Sequence, residues 1–347
     1  MNKANAGNFA KERIRLPREQ WKRQNYPIQS SVKSKRIYMA EPINETCWAY
    51  MKLLREHSDM KKVYDVNPYA EVYQFRENVY AIFTESADGM GDAWMYLLIG
   101  PERAMLIDTG FGIGDLKGLC DAITGRKELL VVNTHGHYDH AYGNCRFERV
   151  YCHEYEVASL QGQDGHIWDY LFQDDGVPIW SEFDKEDLPA FKPYEICGVP
   201  DGYTWNLGED YEVELIHLGG HTAGHAGFLD KKGRNFFCGD DFISMRVGIF
   251  GPRPYLPYGE YATVAAFYRN VEKLCGRLPE FDHLFPGHFV TDIESSVVPN
   301  MCKALQYVLA APAENCDSWQ DGPKGRTYQK YVEGLGTLAY RENSAGQ

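Results

Sequence analysis

The stretch Thr134-His135-Gly136-His137-Tyr138-Asp139-His140 puts three histidines and an aspartate within six positions, directly after the apolar run Leu129-Leu130-Val131-Val132-Asn133. A run that apolar reads as a buried strand, so the polar turn sits at the strand's carboxyl end. In an extended chain His135 and His137 face the same way, and Asp139 and His140 fall on the next turn and reach the same point from another side. Imidazole nitrogens with a carboxylate form the donor set that zinc prefers and that iron or manganese accepts less selectively. A polar loop whose histidines cap a helix would explain one histidine but not this density.

The rest of the chain limits what such a site can serve. Its 347 residues can bury a substantial core, and 44% hydrophobic residues without a low-complexity tract describe a folded globular protein. A net charge of -13 repels phosphate backbones and anionic lipid, so a small-molecule substrate is expected, with neither nucleic acid nor membrane as partner. Nine cysteines without a C-x-x-C pair fit reduced thiols better than a disulfide framework. The first residues lack an apolar core of signal-peptide length, and the expectation is a cytoplasmic protein.

Residues 1–69 read as an N-terminal extension, a basic arm to about residue 35 followed by a helix over Glu45–Ser58, and 70–347 as one catalytic domain. The arm is the candidate surface for a homo-oligomer. Strand-like runs follow at 72–75, 79–83, 94–99 and 104–107 as a series of antiparallel hairpins, and beyond Gly114 strand and helix alternate, which predicts αβ layers. Helices are expected from Tyr261 to Cys275 and from Ile293 to Leu309, and the tail 327–340 is expected to return to a sheet edge. Residues 161–206 hold no lasting periodicity and are rich in aromatics. They read equally as a structural excursion or as a lid over the site.

Four strand ends carry candidate ligands: the 135–140 cluster, His221 in Gly219-Gly220-His221-Thr222-Ala223-Gly224-His225, Asp240 in Gly239-Asp240-Asp241, and His288 in Pro286-Gly287-His288. In this order, together with Ile107-Asp108-Thr109-Gly110, the motifs resemble the metallo-β-lactamase-fold hydrolases over roughly residues 70–340. The resemblance implies an α/β (α+β) chain folded as an αββα sandwich with two divalent metal ions, zinc first, at one edge. It implies His135, His137 and His221 on one ion, Asp139, His140 and His288 on the other, Asp240 bridging, and Asp108 behind them as the acid that orients ligands. His225 and Asp241 stay outside that set.

The implied chemistry is a metal-dependent hydrolase in which a hydroxide bridging two ions attacks an ester, lactone, thioester or amide. Asp139 and Asp240 are the candidate catalytic residues, offsetting metal charge and moving a proton to the leaving group. Arg246 and Arg253 could pair with a substrate carboxylate, Phe250, Tyr255 and Tyr258 could wall an apolar pocket, and His166 is a candidate contact from the aromatic excursion. These aromatics point to a hydrophobic or ring-bearing small molecule. An iron-dependent oxidoreductase of the thiol dioxygenase kind, or a small-molecule phosphodiesterase, is the competing reading on the same fold.

Overall fold

Alternation within single strands separates the layers of the molecule. In the computed structural model, which describes residues 45–84, 92–178 and 183–345 (the side chains of 45–48 excepted), Leu130 and Val132 face one core and Val131, between them, faces another. Phe236 and Cys238 likewise line one core while Phe237 lines the next. A strand buried on both faces needs covering layers on both sides, which explains why these segments are apolar at every position.

The first sheet runs in chain order: β1 (Lys61–Lys62), β2 (Ala70–Arg76), β3 (Val79–Thr84), β4 (Met95–Ile99), β5 (Arg103–Ile107), β6 (Glu128–Val132), β7 (Arg149–His153) and β8 (Glu195–Val199). It is antiparallel as far as β5, as the hairpin pattern predicts, and parallel from β5 to β8. The second sheet contains β9 (Thr204–Asn206), β10 (Glu212–His217), β11 (Ala226–Asp230), β12 (Asn235–Gly239), β14 (His283–Pro286) and β15 (Ile293–Glu294), with β12 and β14 parallel. Between the two sheets Tyr96, Met105, Leu130, Leu215, Phe228, Phe237 and Phe285 form a dry core. Helix α1 (Glu45–His57) lays Met51 and Leu54 onto the same core.

Helices α2 (Leu116–Thr124) and α4 (Val157–Gln161) cover the outer face of the first sheet through Leu116, Leu119 and Leu160. On the other side α5 (Val264–Cys275) and α6 (Val297–Ala310) cover the second sheet. Helix, sheet, sheet, helix is the expected αββα order. Among the described residues no helix is long and apolar enough to cross a membrane, and the described cysteines are free.

Several boundaries differ from the expectations. Helix α5 starts at Val264, not Tyr261, because the Thr263 hydroxyl accepts from Ala266 N–H and caps it. Helix α6 starts at Val297, because Ile293 and Glu294 pair with Leu284 and His283. The tail does not return to an existing edge. Strands β16 (Ser318–Gly322), β17 (Gly325–Val332) and β18 (Gly336–Tyr340) join β13 (Arg246–Ile249) in a separate four-stranded sheet. Residues 195–199 and 204–206 of the aromatic region are strands. Of the rest, Ile167, Trp168, Leu171 and Phe183 pack onto Phe111 and Ile113, and Trp168 Nε1 donates to the Phe111 carbonyl at 3.1 Å. The basic arm lies outside the described residues, as does Trp180.

Candidate metal centre

The candidate ligands gather at one edge of the sandwich because five strands end there. Asp108 follows β5, His135 follows β6, His221 follows β10, Asp240 follows β12 and His288 follows β14. The 135–140 turn enters a one-turn helix α3 (Tyr138–Ala141), which carries Asp139 and His140. Parallel pairing of β12 with β14 sets Gly239 beside Pro286, and Gly287 N–H donates to the Gly239 carbonyl at 2.7 Å. A Cβ on Gly287 would come within 2.7 Å of His140 Cε1 and 2.9 Å of Asp240 Oδ1, so only glycine fits this approach.

Two groups of atoms converge. His137 Nδ1 lies 3.0 Å from both His135 Nε2 and His221 Nε2. On the other side His288 Nε2 lies 3.1 Å from His140 Nε2 and 3.1 Å from Asp139 Oδ2. Asp240 stands between: Oδ2 is 3.5 Å from His221 Nε2, while Oδ1 is 3.1 Å from His140 Nε2 and 3.4 Å from His288 Nε2. Asp240 Oδ1 is buried without a hydrogen-bond partner among protein atoms.

The outer nitrogens show which way the lone pairs face. His221 Nδ1 meets the Gly248 carbonyl at 2.7 Å, and His288 Nδ1 meets the Asp92 carbonyl at 3.2 Å. His140 Nδ1 meets Asp108 Oδ2 at 2.8 Å. Each partner can only accept, so each Nδ1 carries a hydrogen and each Nε2 is the nitrogen turned inward, with a lone pair there whenever the ring is neutral. Thr134 Oγ1 donates to Asp108 Oδ2 at 2.8 Å and so accepts from His135 Nδ1 at 3.0 Å, with the same result. Inward nitrogens whose lone pairs are free once the rings are neutral suit a cation, and the donor set of imidazoles and carboxylates fits a divalent one. His137 is the exception. Arg253 Nη2, which can only donate, sits 2.7 Å from its Nε2, and a cation on Nδ1 would require Arg253 to withdraw.

Charge divides the two groups. Burial, then the neighbouring histidines, lowers the pKa of His135 well below the usual value. Burial, His221 and Arg253 do the same to His137, and burial lowers His221. Burial also opposes the charged forms of His140 and His288, but Asp240 and Asp139 outweigh it and raise both, with Asp108 adding to His140. His135 and His137 are therefore neutral well below pH 6.5 and His221 is shifted in the same direction, whereas the other group still holds protons there. Metal binding at Asp139, His140 and His288 should release protons and weaken as pH falls through the raised values of His140 and His288, while binding at His135, His137 and His221 is less sensitive there. Calorimetric zinc titration in two buffers of different ionisation enthalpy checks this. Equal proton release at both steps would contradict it.

Asp108 adopts a left-handed conformation, φ 63°, uncommon for a residue with a side chain. It accepts from Thr134 N–H and Oγ1, both at 2.8 Å, as well as from His140. His225 and Asp241 stay outside the converging atoms: His225 Nε2 accepts the Asp240 N–H at 3.0 Å, and its Nδ1 lies 2.7 Å from Asp241 Oδ2.

The candidate substrate contacts separate. Arg253 reaches the cluster, and a small cleft beside His221 is lined by Tyr155, Arg253, Leu256 and Pro257. Tyr258 stacks on Tyr155 with ring centroids 4.3 Å apart. Tyr255 is 76% exposed, and Arg246 is exposed at the first position of β13. His166, with its side chain 84% exposed, pairs with Asp169 at 2.9 Å in the excursion.

Sequence reasoning missed Glu156, whose buried carboxylate accepts from Gly136 N–H and Gly224 N–H, each at 2.9 Å, and from the Thr222 hydroxyl. His153, expected at the surface or at a helix end, does stand at the start of a short helical turn, where its Nδ1 accepts from Tyr155 N–H at 3.3 Å. His153 is buried and stacks on His217 at 4.1 Å, and burial followed by His217 pushes its pKa down to about 3. Nothing local marks Glu156 or the burial of His153, since both depend on partners far along the chain.

The family model described as the metallo-beta-lactamase superfamily matches residues 88–270, more than half of the chain. The chain belongs to that superfamily. Acyl-coenzyme A thioesterase MBLAC2 of Homo sapiens is 30% identical over 213 residues, covering 57% of this chain and 73% of that protein. Hydroxyacylglutathione hydrolase of Pelagibacter ubique is 28% identical over 203 residues, covering 58% and 68%. Among solved structures, DIM-1 metallo-beta-lactamase aligns with a TM-score of 0.46 at 18% identity, covering 69% of this chain and 98% of that one. Within this superfamily the chain is a hydrolase, and the converging histidines and aspartates are groups that could hold its metal.

Proposed function

We propose that the chain hydrolyses an acyl thioester of a small carrier, using two zinc ions held at this edge of the sandwich. The observation that supports the reading is the convergence of imidazole nitrogens and carboxylate oxygens on both sides of Asp240. His135, His137 and His221 would hold one ion, Asp139, His140 and His288 the other, and Asp240 would span them. The thioester choice is supported by relatives named as thioesterase and as hydroxyacylglutathione hydrolase.

Ions bound there would bring the pKa of a water toward neutrality and polarise an acyl carbonyl. The chain supplies the rest. Asp108, the Gly248 carbonyl and the Asp92 carbonyl hold three imidazoles in the ligating tautomer. Burial opposes the charged form of Asp139, but His140 and His288 lower its pKa, so Asp139 Oδ2 is ionised at neutral pH and can accept a proton from the attacking water. Arg253 with Tyr155, Tyr258, Leu256 and Pro257 borders the approach and suits an acyl or ring-bearing group that also carries an anion.

The test is thiol release by the zinc-loaded protein from acyl-coenzyme A and S-acylglutathione, set against matched aryl esters, lactones, amides and phosphodiesters. Thioesters are expected to turn over fastest. Turnover of phosphodiesters with thioesters untouched would sink the reading.

A further inference from the structure

Glu156 begins as an unremarkable acid in the turn between β7 and α4, and ends with both carboxylate oxygens bonded to the two loops that carry His135, His137 and His221. Oε2 accepts the N–H of Gly136, the residue between His135 and His137. Oε1 accepts the N–H of Gly224 and the hydroxyl of Thr222, both of which follow His221 in the same turn. The side chain is buried, and burial raises its pKa while these three donors and His225 pull it back down. A carboxylate offers about four lone-pair sites and no hydrogen, so three converging donors suit it and no neutral replacement of the same shape.

The glycines of the two motifs fit around this carboxylate. A Cβ on Gly224 would lie 2.7 Å from Glu156 N and 2.9 Å from Glu156 Cγ. A Cβ on Gly136 would lie 3.0 Å from Glu156 Oε2 and 2.5 Å from Ser159 Oγ. Both loops are thus drawn against one acid that belongs to neither. The Gly136 turn comes from the first sheet and the Thr222–Gly224 turn from the second, so Glu156 ties the two sheets together where three histidines meet. His140 and His288 are instead held by Asp108 and by the Asp92 carbonyl.

We infer that Glu156 is a positioning residue for one half of the centre: it fixes the spacing of His135 and His137 against His221 and leaves the Asp139, His140 and His288 group unaffected. This rests on the metal assignment proposed above, but not on the choice of substrate.

The experiment measures zinc affinity and stoichiometry of the full chain, with cobalt(II) substitution to report by absorption which group is filled. In Glu156→Gln the amide must aim a donor at one of the donors now bonded, and the three-histidine ion should bind at least about tenfold more weakly, as for other residues that orient ligands. The second ion should keep its affinity within about twofold, and saturating zinc should restore kcat, which a general loss of folding would not allow. Thr222→Val removes one donor, retains the fold if Glu156→Gln does not, and should weaken the same ion by a smaller factor. Wild-type affinity at both groups in these variants, or equal weakening of both, would overturn the inference. Two tightly bound ions without thioester turnover in the wild-type protein would sink the substrate reading and leave this one standing.

Discussion

Asp240→Ala is expected to leave a folded protein with thioester hydrolysis lowered by about 10³-fold or more, because several kcal/mol of charge stabilisation disappear at 1.4 kcal/mol per tenfold. Asp240 turns an oxygen toward each group, 3.5 Å from His221 Nε2 on one side and 3.1 Å from His140 Nε2 on the other. Removing it should loosen both ions, whereas His221→Ala should loosen only one. A second signature lies in the metal-free protein. His140 and His288 are buried, and Asp240 is the first of the neighbours that raise their pKa against that burial. A group whose folded pKa is raised contributes stability below its unfolded pKa of about 6.5 and loses it as pH rises through the folded value. Without Asp240 that contribution shrinks, so the metal-free variant should lose most stability below about pH 6.5. Thermal denaturation of metal-free wild type and variant across pH 5 to 8 reads this. A uniform loss at all pH values would speak against the charge assignment.

The next largest effect is expected at Asp108. It accepts two hydrogen bonds from Thr134 and one from His140, all at 2.8 Å and all buried. In Asp108→Ala the Thr134 donors are left without partners at about 1–3 kcal/mol each, and the alanine must hold φ near 63°. A loss of at least about 3 kcal/mol in stability should accompany a 10–100-fold loss of metal affinity. Asp108→Asn is the sharper probe, because asparagine tolerates the left-handed backbone. Its amide can aim a hydrogen at His140 Nδ1, which moves the imidazole hydrogen to Nε2, where a cation would sit. Metal affinity at the Asp139, His140 and His288 group should fall while the fold persists. Unchanged zinc binding in Asp108→Asn would show that the tautomer is held by something else.

What could be read from the residues, and what could not, follows from how far each interaction reaches. The 135–140 cluster announces itself because four candidate ligands share one turn. Asp240 and His288 are legible because each interrupts an apolar strand with a charged or ligating group. Hairpins giving way to alternating strands and helices make αβ layers legible, while the αββα order is what the family resemblance implies. The separate sheet is hidden, since β13 has four residues and its partner β18 lies 91 positions away, with no periodicity long enough to register. Glu156 is hidden for a similar reason. Its partners are backbone donors 20 and 68 positions away, and a lone acid between Tyr155 and Val157 looks like any solvated glutamate. Arg253 could be proposed as a substrate contact, but its approach to His137 depends on a loop of prolines and glycines whose path only the folded chain defines.

The central claim, that thioester cleavage depends on two ions held around Asp240, meets its most direct test in one titration. Metal-free protein is given zinc in steps from zero to three equivalents, and the initial rate of thiol release from an acyl-coenzyme A is recorded at each step. The account predicts no release without zinc and a rate that climbs to a plateau at two equivalents per chain. Release by the metal-free protein at the plateau rate, or a silent protein with both ions bound, would contradict it.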